Sequence, residues 1–257
     1  MRTMDEVLPP DLKKRKGRGI DEYLSESLDI ILSNPKLLIP FVPALLAILI
    51  YSIYILMPLI KGGSLFHPRL DFFTSKNFII LSIAVTLIVL LFSLIGMIGV
   101  SYFILKKSAP EEAIRFGVKR LPLAVISYTV LLALLMIPYA PIVVVRNVPF
   151  IIVYTVIISM LIVSPLFMLS PLIVEKSFPI TESFRVYTAN FKKGVILAIL
   201  YSLASSAVSS LIPFIGSFLN ILIVIPMFTA AYTLLYKEWK ISKESLFMIF
   251  HEEDVVK

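Results

Sequence analysis

Apolar residues in this chain are grouped in six long runs, and the short segments between the runs hold most of the charged residues. Each run is about as long as the roughly 20 residues that an α-helix needs to cross the hydrocarbon core of a bilayer. The pattern therefore predicts an all-α fold, a polytopic transmembrane bundle of six helices. The predicted spans are about 37–60, 78–105, 121–145, 149–174, 194–215 and 217–236.

The boundary between the third and fourth runs is the least regular one. Arg146 and Asn147 precede Val148 and Pro149 there. A proline disfavours helix in the residue before it, and a lone arginine is costly in the middle of a bilayer. This segment therefore predicts a tight turn at the membrane surface rather than the middle of one very long helix.

Lysine and arginine alternate in number from one connection to the next. The amino-terminal segment, the second and fourth connections and the tail hold 20 of them, and the other three connections hold 4. Because positively charged flanks stay in the cytoplasm, this bias predicts a multi-pass protein of the cell membrane with both termini cytoplasmic. The predicted organisation is a basic cytoplasmic segment over 1–19, a membrane domain over 20–236 and a cytoplasmic tail over 237–257.

Similar segments precede the first, third and fifth spans. Each begins with a small residue and has a polar residue seven positions later. The small residues are Ser27, Ala113 and Ser183, and the polar residues are Asn34, Arg120 and Asn190. Apolar side chains at helical spacing flank the first and third segments. These features predict amphipathic helices that lie in the cytoplasmic interface of the membrane.

The second, fourth and sixth spans also resemble one another at their cytoplasmic ends. The segments 99–107, 168–176 and 229–237 align without a gap. Their alignment places three helix-weakening residues at the same depth, where each is expected to let the helix bend. The chain is therefore predicted to contain three similar units, each an interfacial helix followed by a membrane hairpin. The aligned residues are Gly96, Pro165 and Pro226.

Three stretches carry a resemblance to a known family. They are the Asn34-Pro35-Lys36 junction, Ser183–Leu203 and Ile225–Trp239. Together they resemble a family of six-span archaeal and bacterial membrane proteins, related to the membrane domain that is fused to some glycerophosphodiester phosphodiesterases. The resemblance implies a six-helix membrane domain of no established activity, without a counterpart of the phosphodiesterase catalytic domain.

Composition agrees with a membrane protein and excludes some kinds of chemistry. Apolar residues make up 58% of the 257 positions, charged residues 16%, and the mean hydropathy is +0.94. The net charge of +7 is explained by residues beside span ends, so no nucleic-acid partner is expected. There is no cysteine, which excludes disulfides and thiolate metal sites. The chain has no glutamine and only five asparagines, a shortage of heat-labile amides that suggests a hyperthermophile.

Candidate catalytic and metal-binding groups are sparse. The predicted spans carry ionisable residues only at their ends, although proton-coupled carriers and membrane proteases normally need such residues inside. His67 and His251 are predicted on opposite sides of the membrane, and Asp71 is the only acid expected on the outer face. No phosphate loop, zinc-protease or serine-hydrolase motif occurs. We therefore expect no catalytic residue, metal or cofactor.

The fifth span presents a face of serines, and it is the main polar feature inside the predicted bundle. The serines are Ser202, Ser205, Ser206, Ser209 and Ser210. Small hydroxyl residues let helices approach closely in lipid, so helix packing is the favoured interpretation and a polar wall of a substrate path is the alternative. Pro165 and Pro226 have the same two interpretations, because a bend either shapes the bundle or frees carbonyls to line a cavity.

Glu175 is the acid nearest to the membrane interior. It lies at the inner end of the fourth span and aligns with Lys106 and Tyr236, which places it at the interface. A snorkelling surface residue is the favoured interpretation, and a functional carboxylate is the alternative.

The sequence thus favours a non-catalytic membrane module that interacts through its cytoplasmic helices. Its expected partners are membrane lipids or another membrane or cytoplasmic protein. The alternative is a transporter or permease subunit for a small or lipid-like substrate, which the serine face and the aligned bends would suit.

Overall fold

A computed structural model describes residues 18–61, 75–138, 148–176, 179–211 and 213–255, and the regular elements in these ranges are helical. The all-α class is confirmed for this part of the chain. The α-helices are α1 (Ile20–Ser33), α2 (Val42–Lys61), α3 (Lys76–Lys106), α4 (Pro110–Met136), α5 (Val148–Glu175), α6 (Pro179–Ala189), α7 (Phe191–Leu211), α8 (Pro213–Leu219) and α9 (Ile225–Val255). A 3₁₀ segment, Pro35–Phe41, leads into α2, and a π-helical turn, Asn220–Val224, joins α8 to α9.

Among the described residues, five helical stretches are long and apolar enough to cross a membrane. They are Pro35–Leu56, Lys76–Lys106, Pro110–Met136, Phe191–Ser210 and Ile215–Glu244. Large apolar side chains on their outer faces are exposed, as Ile50 and Ile83 illustrate. In water such a surface would be unfavourable, whereas in a bilayer it contacts lipid chains. These findings support a multi-pass membrane protein.

The fourth predicted span coincides with α5, a helix of 28 residues. Its apolar stretch among the described side chains, Leu161–Glu175, is shorter than a full span. Six spans therefore stay a prediction.

Helices α3, α5 and α9 pack against one another at the centre of the bundle. Ile98, Met168 and Tyr232, one from each helix, are fully buried in the core. The remaining long helices lie outside these three: α2 packs on α3, α4 on α3 and α5, and α7 on α5 and α9. Helix α2 also contacts α8 and the π-helical turn that precede α9. The bundle thus has three inner and three outer long helices.

Two helix boundaries differ from the sequence prediction. The interfacial segment before the third span and the span itself form one helix, α4, which continues through Pro122. An interior proline removes one backbone hydrogen bond and crowds the carbonyl four residues earlier. Packing of α4 against α3 stabilises the turns on both sides of Pro122 and offsets this cost. The tail predicted over 237–257 is helical as far as Val255, because α9 continues beyond the apolar run.

The three aligned helix-weakening residues have different surroundings. An added Cβ atom at Gly96 would overlap the ring of Phe41, so this glycine provides room for an aromatic side chain. Pro165 is buried inside α5. Pro226 is buried directly after the π-helical turn, in which the amide of Ile225 donates to the carbonyl of Asn220. The wider π turn accommodates the proline, which has no amide hydrogen to donate.

Some predicted features lie outside the described residues. They are positions 1–17 of the basic segment, the loop with His67 and Asp71, and Arg146 and Asn147 of the predicted turn.

Candidate functional site at the basic end of the bundle

One end of the bundle, called the basic end below, holds α1, the α3–α4 connection with residues 110–120 of α4, α6 with the start of α7, and residues 237–244 of α9. Three short helical segments pack against the three inner helices there: α1 on α9, residues 110–120 of α4 on α3, and α6 on α5. Each short segment therefore has a different inner helix as its support. Segments separated by more than 200 residues meet at this end, since Tyr23 contacts Glu238.

Corresponding positions of the three short segments are buried. Ser27, Ala113 and Ser183 are each completely inaccessible to solvent. One helical turn later the buried residues are Ile31, Gly117 and Tyr187. The burial agrees with the predicted alignment of the segments, in which both sets of positions coincide. Positions four apart lie on one face of a helix, so each segment presents a corresponding face to its inner helix.

Asn34 and Asn190 end two of these segments in the same way. The side-chain Nδ2 of Asn34 donates to the carbonyl of Ile30 at 3.0 Å, and that of Asn190 donates to the carbonyl of Val186 at 3.0 Å. Both bonds add a side-chain donor to a carbonyl in the last turn of a helix, where intrahelical donors run out. The carbonyl of Val186 also accepts from the backbone amide of Asn190. Arg120, the third aligned residue, instead lies over the ring of Phe116 at 5.5 Å, within the continuous helix α4.

At Gly117 the backbone of α4 lies directly against the backbone of α3. A Cβ atom there would lie 2.5 Å from the carbonyl oxygen of Ile95. We expect Gly117→Ala to lower the free energy of unfolding by about 1–3 kcal/mol, because the backbones must separate. The gain of about 1 kcal/mol in helix propensity opposes only part of this loss. The measurement is thermal unfolding of the purified protein in detergent.

Gly99 provides the matched control, since a Cβ atom there would lie 3.4 Å from the carbonyl oxygen of Ala113, an ordinary contact. Gly99→Ala should change the free energy of unfolding by about 1 kcal/mol or less. Equal losses for the two variants would show that backbone proximity at Gly117 is not the cause.

Tyr23, which is buried, and Lys193 and Glu238, which are partly buried, form a group that we call the tyrosine cluster. The Tyr23 hydroxyl donates to Oε2 of Glu238. The Nζ atom of Lys193 lies 3.2 Å from Oε1 of Glu238, 3.1 Å from the Tyr23 hydroxyl and 5.1 Å from the centre of the Tyr23 ring. Burial, and then the bond to Glu238, raise the pKa of the Tyr23 phenol, which stays a neutral donor. The cluster connects α1 to α9 through Glu238 and to α7 through Lys193.

A second group, the glutamate cluster, surrounds Glu175. The Nζ atom of Lys240 lies 2.8 and 2.9 Å from its two carboxylate oxygens, and the Tyr236 hydroxyl donates to Oε2 at 2.8 Å. Lys106 adds a longer ion pair at 3.9 Å, and only 10% of the Glu175 side chain is exposed. Glu175 is therefore the centre of an ion-pair network and not a solitary surface residue. The aligned residues Lys106, Glu175 and Tyr236 converge here from all three inner helices.

Hydroxyl groups join the same three helices deeper in the bundle. Ser101 lies 3.0 Å from Ser170 and 2.9 Å from Thr233, and all three are buried. Ser164 and Tyr232 lie 2.8 Å apart, and both donate to the carbonyl of Gly194 on α7. In a bilayer such bonds hold helices together where the hydrophobic effect supplies no attraction between them. Among these residues, Ser101 and Ser170 occupy the same position in the aligned segments 99–107 and 168–176, which is their one signal in the sequence.

The serine face of α7 lies away from the inner helices. Ser206 and Ser209 are exposed, whereas Ser202 and Ser205 are half-buried. Ser210, also exposed, donates to the carbonyl of Ser206 in its own helix at 2.7 Å. The buried face of α7 instead contains Leu197 and Ala198. A role of the serines in helix packing or in a substrate path stays a prediction.

Within the described ranges, the structure brings together no group of three or more histidine, cysteine, aspartate or glutamate residues that could hold a metal ion. A scan against protein-family models, a search of curated proteins and a search of solved structures find no match to this chain. The resemblance to the six-span family therefore stays a prediction.

Proposed function

We propose that this chain is a non-catalytic membrane module whose basic end faces the cytoplasm and engages membrane lipid or a partner protein. The main support for the proposal is that three short helical segments pack on three different inner helices at the basic end. Two partly buried polar clusters hold this end together, so it forms a rigid platform rather than a set of loose loops.

Exposed apolar residues on the basic end support contact with lipid. Leu32 of α1, Val118 of α4 and Phe191 of α7 are more than half exposed, at 66%, 54% and 52%. Lysines and arginines of the same segments lie close to them in the sequence. Apolar side chains beside basic ones suit the boundary between acyl chains and anionic headgroups.

The proposed arrangement includes six spans, with α5 as the fourth, and three similar units. The recurring burial, the paired asparagine bonds and the convergence of Lys106, Glu175 and Tyr236 support three units. Each short segment packs on the inner helix that precedes it, and α1 packs on α9, as expected if the units close into a ring. The short segments would then be three copies of one interfacial element.

Cysteine labelling tests the spans and their orientation, because the chain has no cysteine of its own. We expect a membrane-impermeant maleimide to label Asn77→Cys and Asn147→Cys from outside the cell, and Ser108→Cys only after the membrane is opened. Lys176→Cys, which directly follows α5, should also be labelled only after the membrane is opened. Labelling of Lys176→Cys from the same side as Asn147→Cys would eliminate α5 as a span, because these two positions flank that helix.

The single tryptophan reports whether the basic end lies at the lipid surface. Trp239 is half-buried on α9, with Nζ of Lys243 5.2 Å from its ring centre. Because tryptophan prefers the headgroup level, we expect lipids brominated near the headgroup to quench its fluorescence more than lipids brominated near the chain end. The double variant Trp239→Phe/Leu87→Trp should show the opposite order, since Leu87 is exposed near the middle of α3. Failure of both lipids to quench Trp239 would contradict a lipid-facing platform.

A side cavity favours a transporter or permease subunit as the second candidate. The cavity, of about 580 Å³, lies between α2 and α3, and Ser217 of α8 also lines it. Its wall is apolar with several hydroxyls. The Oγ atom of Ser93 is buried there and has no hydrogen-bond partner among the described residues. Such a wall suits a small lipid-like molecule.

Flux of a fluorescent lipid-like solute in proteoliposomes tests the transporter candidate. Ser52→Phe, which fills the cavity, should abolish flux, whereas the outward-facing control Leu87→Phe should preserve it. Equal flux in empty liposomes and proteoliposomes would remove the candidate.

A further inference from the structure

A second cavity, of about 250 Å³, opens at the basic end between α1, α3 and α9. Its floor is apolar and includes Phe103, Ile104 and Leu234, and its rim carries Lys107, Lys237 and Glu26. The tyrosine and glutamate clusters do not include these residues. The cavity therefore combines a surface for a hydrocarbon group with two positive charges.

The two rim lysines have no carboxylate partner within 4.0 Å in the part of the chain that the structure describes. Lys106, Lys193 and Lys240 nearby all have one. Glu26, the acid of the rim, pairs with Arg18 at 2.8 Å. The two ammonium groups leave an excess of positive charge at the rim, which an anion held between them would neutralise.

The backbone of Lys107 provides an independent observation. Its φ angle is 51°, and Lys107 is the only residue other than glycine with a positive φ among the described residues. It ends α3 in the left-handed conformation, a position that glycine normally occupies. A lysine there strains the backbone, and strained residues concentrate at functional sites. Backbone conformation alone would favour glycine at position 107. The lysine there therefore indicates a role for its side chain.

We propose that this cavity binds the phosphate headgroup of an anionic membrane lipid. The phosphate lies between the ammonium groups of Lys107 and Lys237, and the start of the hydrocarbon chain lies on Phe103, Ile104 and Leu234. This inference rests on the proposed function, since it requires the basic end to lie in the headgroup layer. It adds a defined site and ligand class to a general attraction between basic residues and anionic lipid.

Native mass spectrometry of the full chain, released from detergent with phosphatidylglycerol or phosphatidylcholine, tests the site. We expect one retained phosphatidylglycerol per chain and little phosphatidylcholine. Lys107→Gly and Lys237→Gln should each weaken retention about fivefold, because each removes one lysine contact with the anionic lipid. Lys107→Gly should also leave thermal stability unchanged or raised, because glycine accepts the left-handed backbone. Loss of binding without loss of stability would separate recognition from folding.

Lys176→Gln is the matched control, since Lys176 aligns with Lys107 and Lys237 but does not line the cavity. It should retain phosphatidylglycerol at the level of the unaltered chain. Inorganic phosphate at millimolar concentration should not displace the lipid, and displacement would assign the site to free phosphate instead. Equal retention of phosphatidylglycerol by Lys107→Gly, Lys237→Gln and Lys176→Gln would overturn the proposal. The platform would then be judged separately, because quenching of Trp239 tests contact with lipid and does not require this site.

Discussion

Replacing Glu175 with alanine is expected to lower the free energy of unfolding by about 3 kcal/mol. The substitution leaves Lys240 and Lys106 close together without the carboxylate between them, and it removes the acceptor of the Tyr236 hydroxyl. Glu244, 3.9 Å from Lys240, supplies a weaker partner that limits the loss. Thermal unfolding in detergent measures the effect.

Two further variants distinguish the loss of this ion-pair network from the general effect of removing a charge on stability. Glu182→Ala removes a loose ion pair with Arg185, 3.8 Å long and largely exposed on the arginine side, and should cost less than about 1 kcal/mol. The double variant Glu175→Gln/Lys240→Met removes both strongly paired charges and should recover at least half of the loss. The proposed role of Glu175 fails if Glu175→Ala and Glu182→Ala have the same stability.

Tyr23→Ala is expected to detach α1 from the bundle, with a loss of about 3–5 kcal/mol for a fully buried aromatic side chain. Hydrogen exchange should show loss of amide protection in Ile20–Ser33 while α3 and α5 stay protected. Tyr23→Phe keeps the ring and loses the bond to Glu238, so it should cost about 1–3 kcal/mol. If the amides of α1 stay protected from exchange in Tyr23→Ala, the tyrosine cluster does not hold α1 on the bundle.

The tyrosine cluster also makes the attachment of α1 depend on pH, and the attachment weakens at high pH. The pKa of the Tyr23 phenol is raised in the folded chain above its ordinary value of 10.0. Its contribution to stability is therefore complete below pH 10 and declines as the pH rises above that value. Protection of α1 should be constant from pH 7 to pH 9.5.

The long apolar helices could be predicted from sequence because length and hydropathy alone decide whether a helix suits a bilayer. The helical tail beyond residue 236 could not, since charged residues such as Lys237 usually mark the end of a span. Glu238 and Lys240 continue the helix because partners on other helices bind them. That information is tertiary and has no local signal.

The candidate site was only partly predictable for a related reason. The alignment placed Lys106, Glu175 and Tyr236 at one depth, but depth does not give the rotation of each helix about its axis. Only packing of the three inner helices turns these side chains toward one another. The same limit explains the serine face of α7: spacing defined the face, but it could not define what Ser206 and Ser209 would contact.

The contact between α1 and α9 constrains how the protein is made. Tyr23 leaves the ribosome 215 residues before Glu238, its partner on α9. Helix α1 must therefore wait, without its final neighbour, while α2 to α8 are synthesised and inserted. Assembly cannot be completed in the order of synthesis, and a helix that is made before α2 to α8 reaches its place after them.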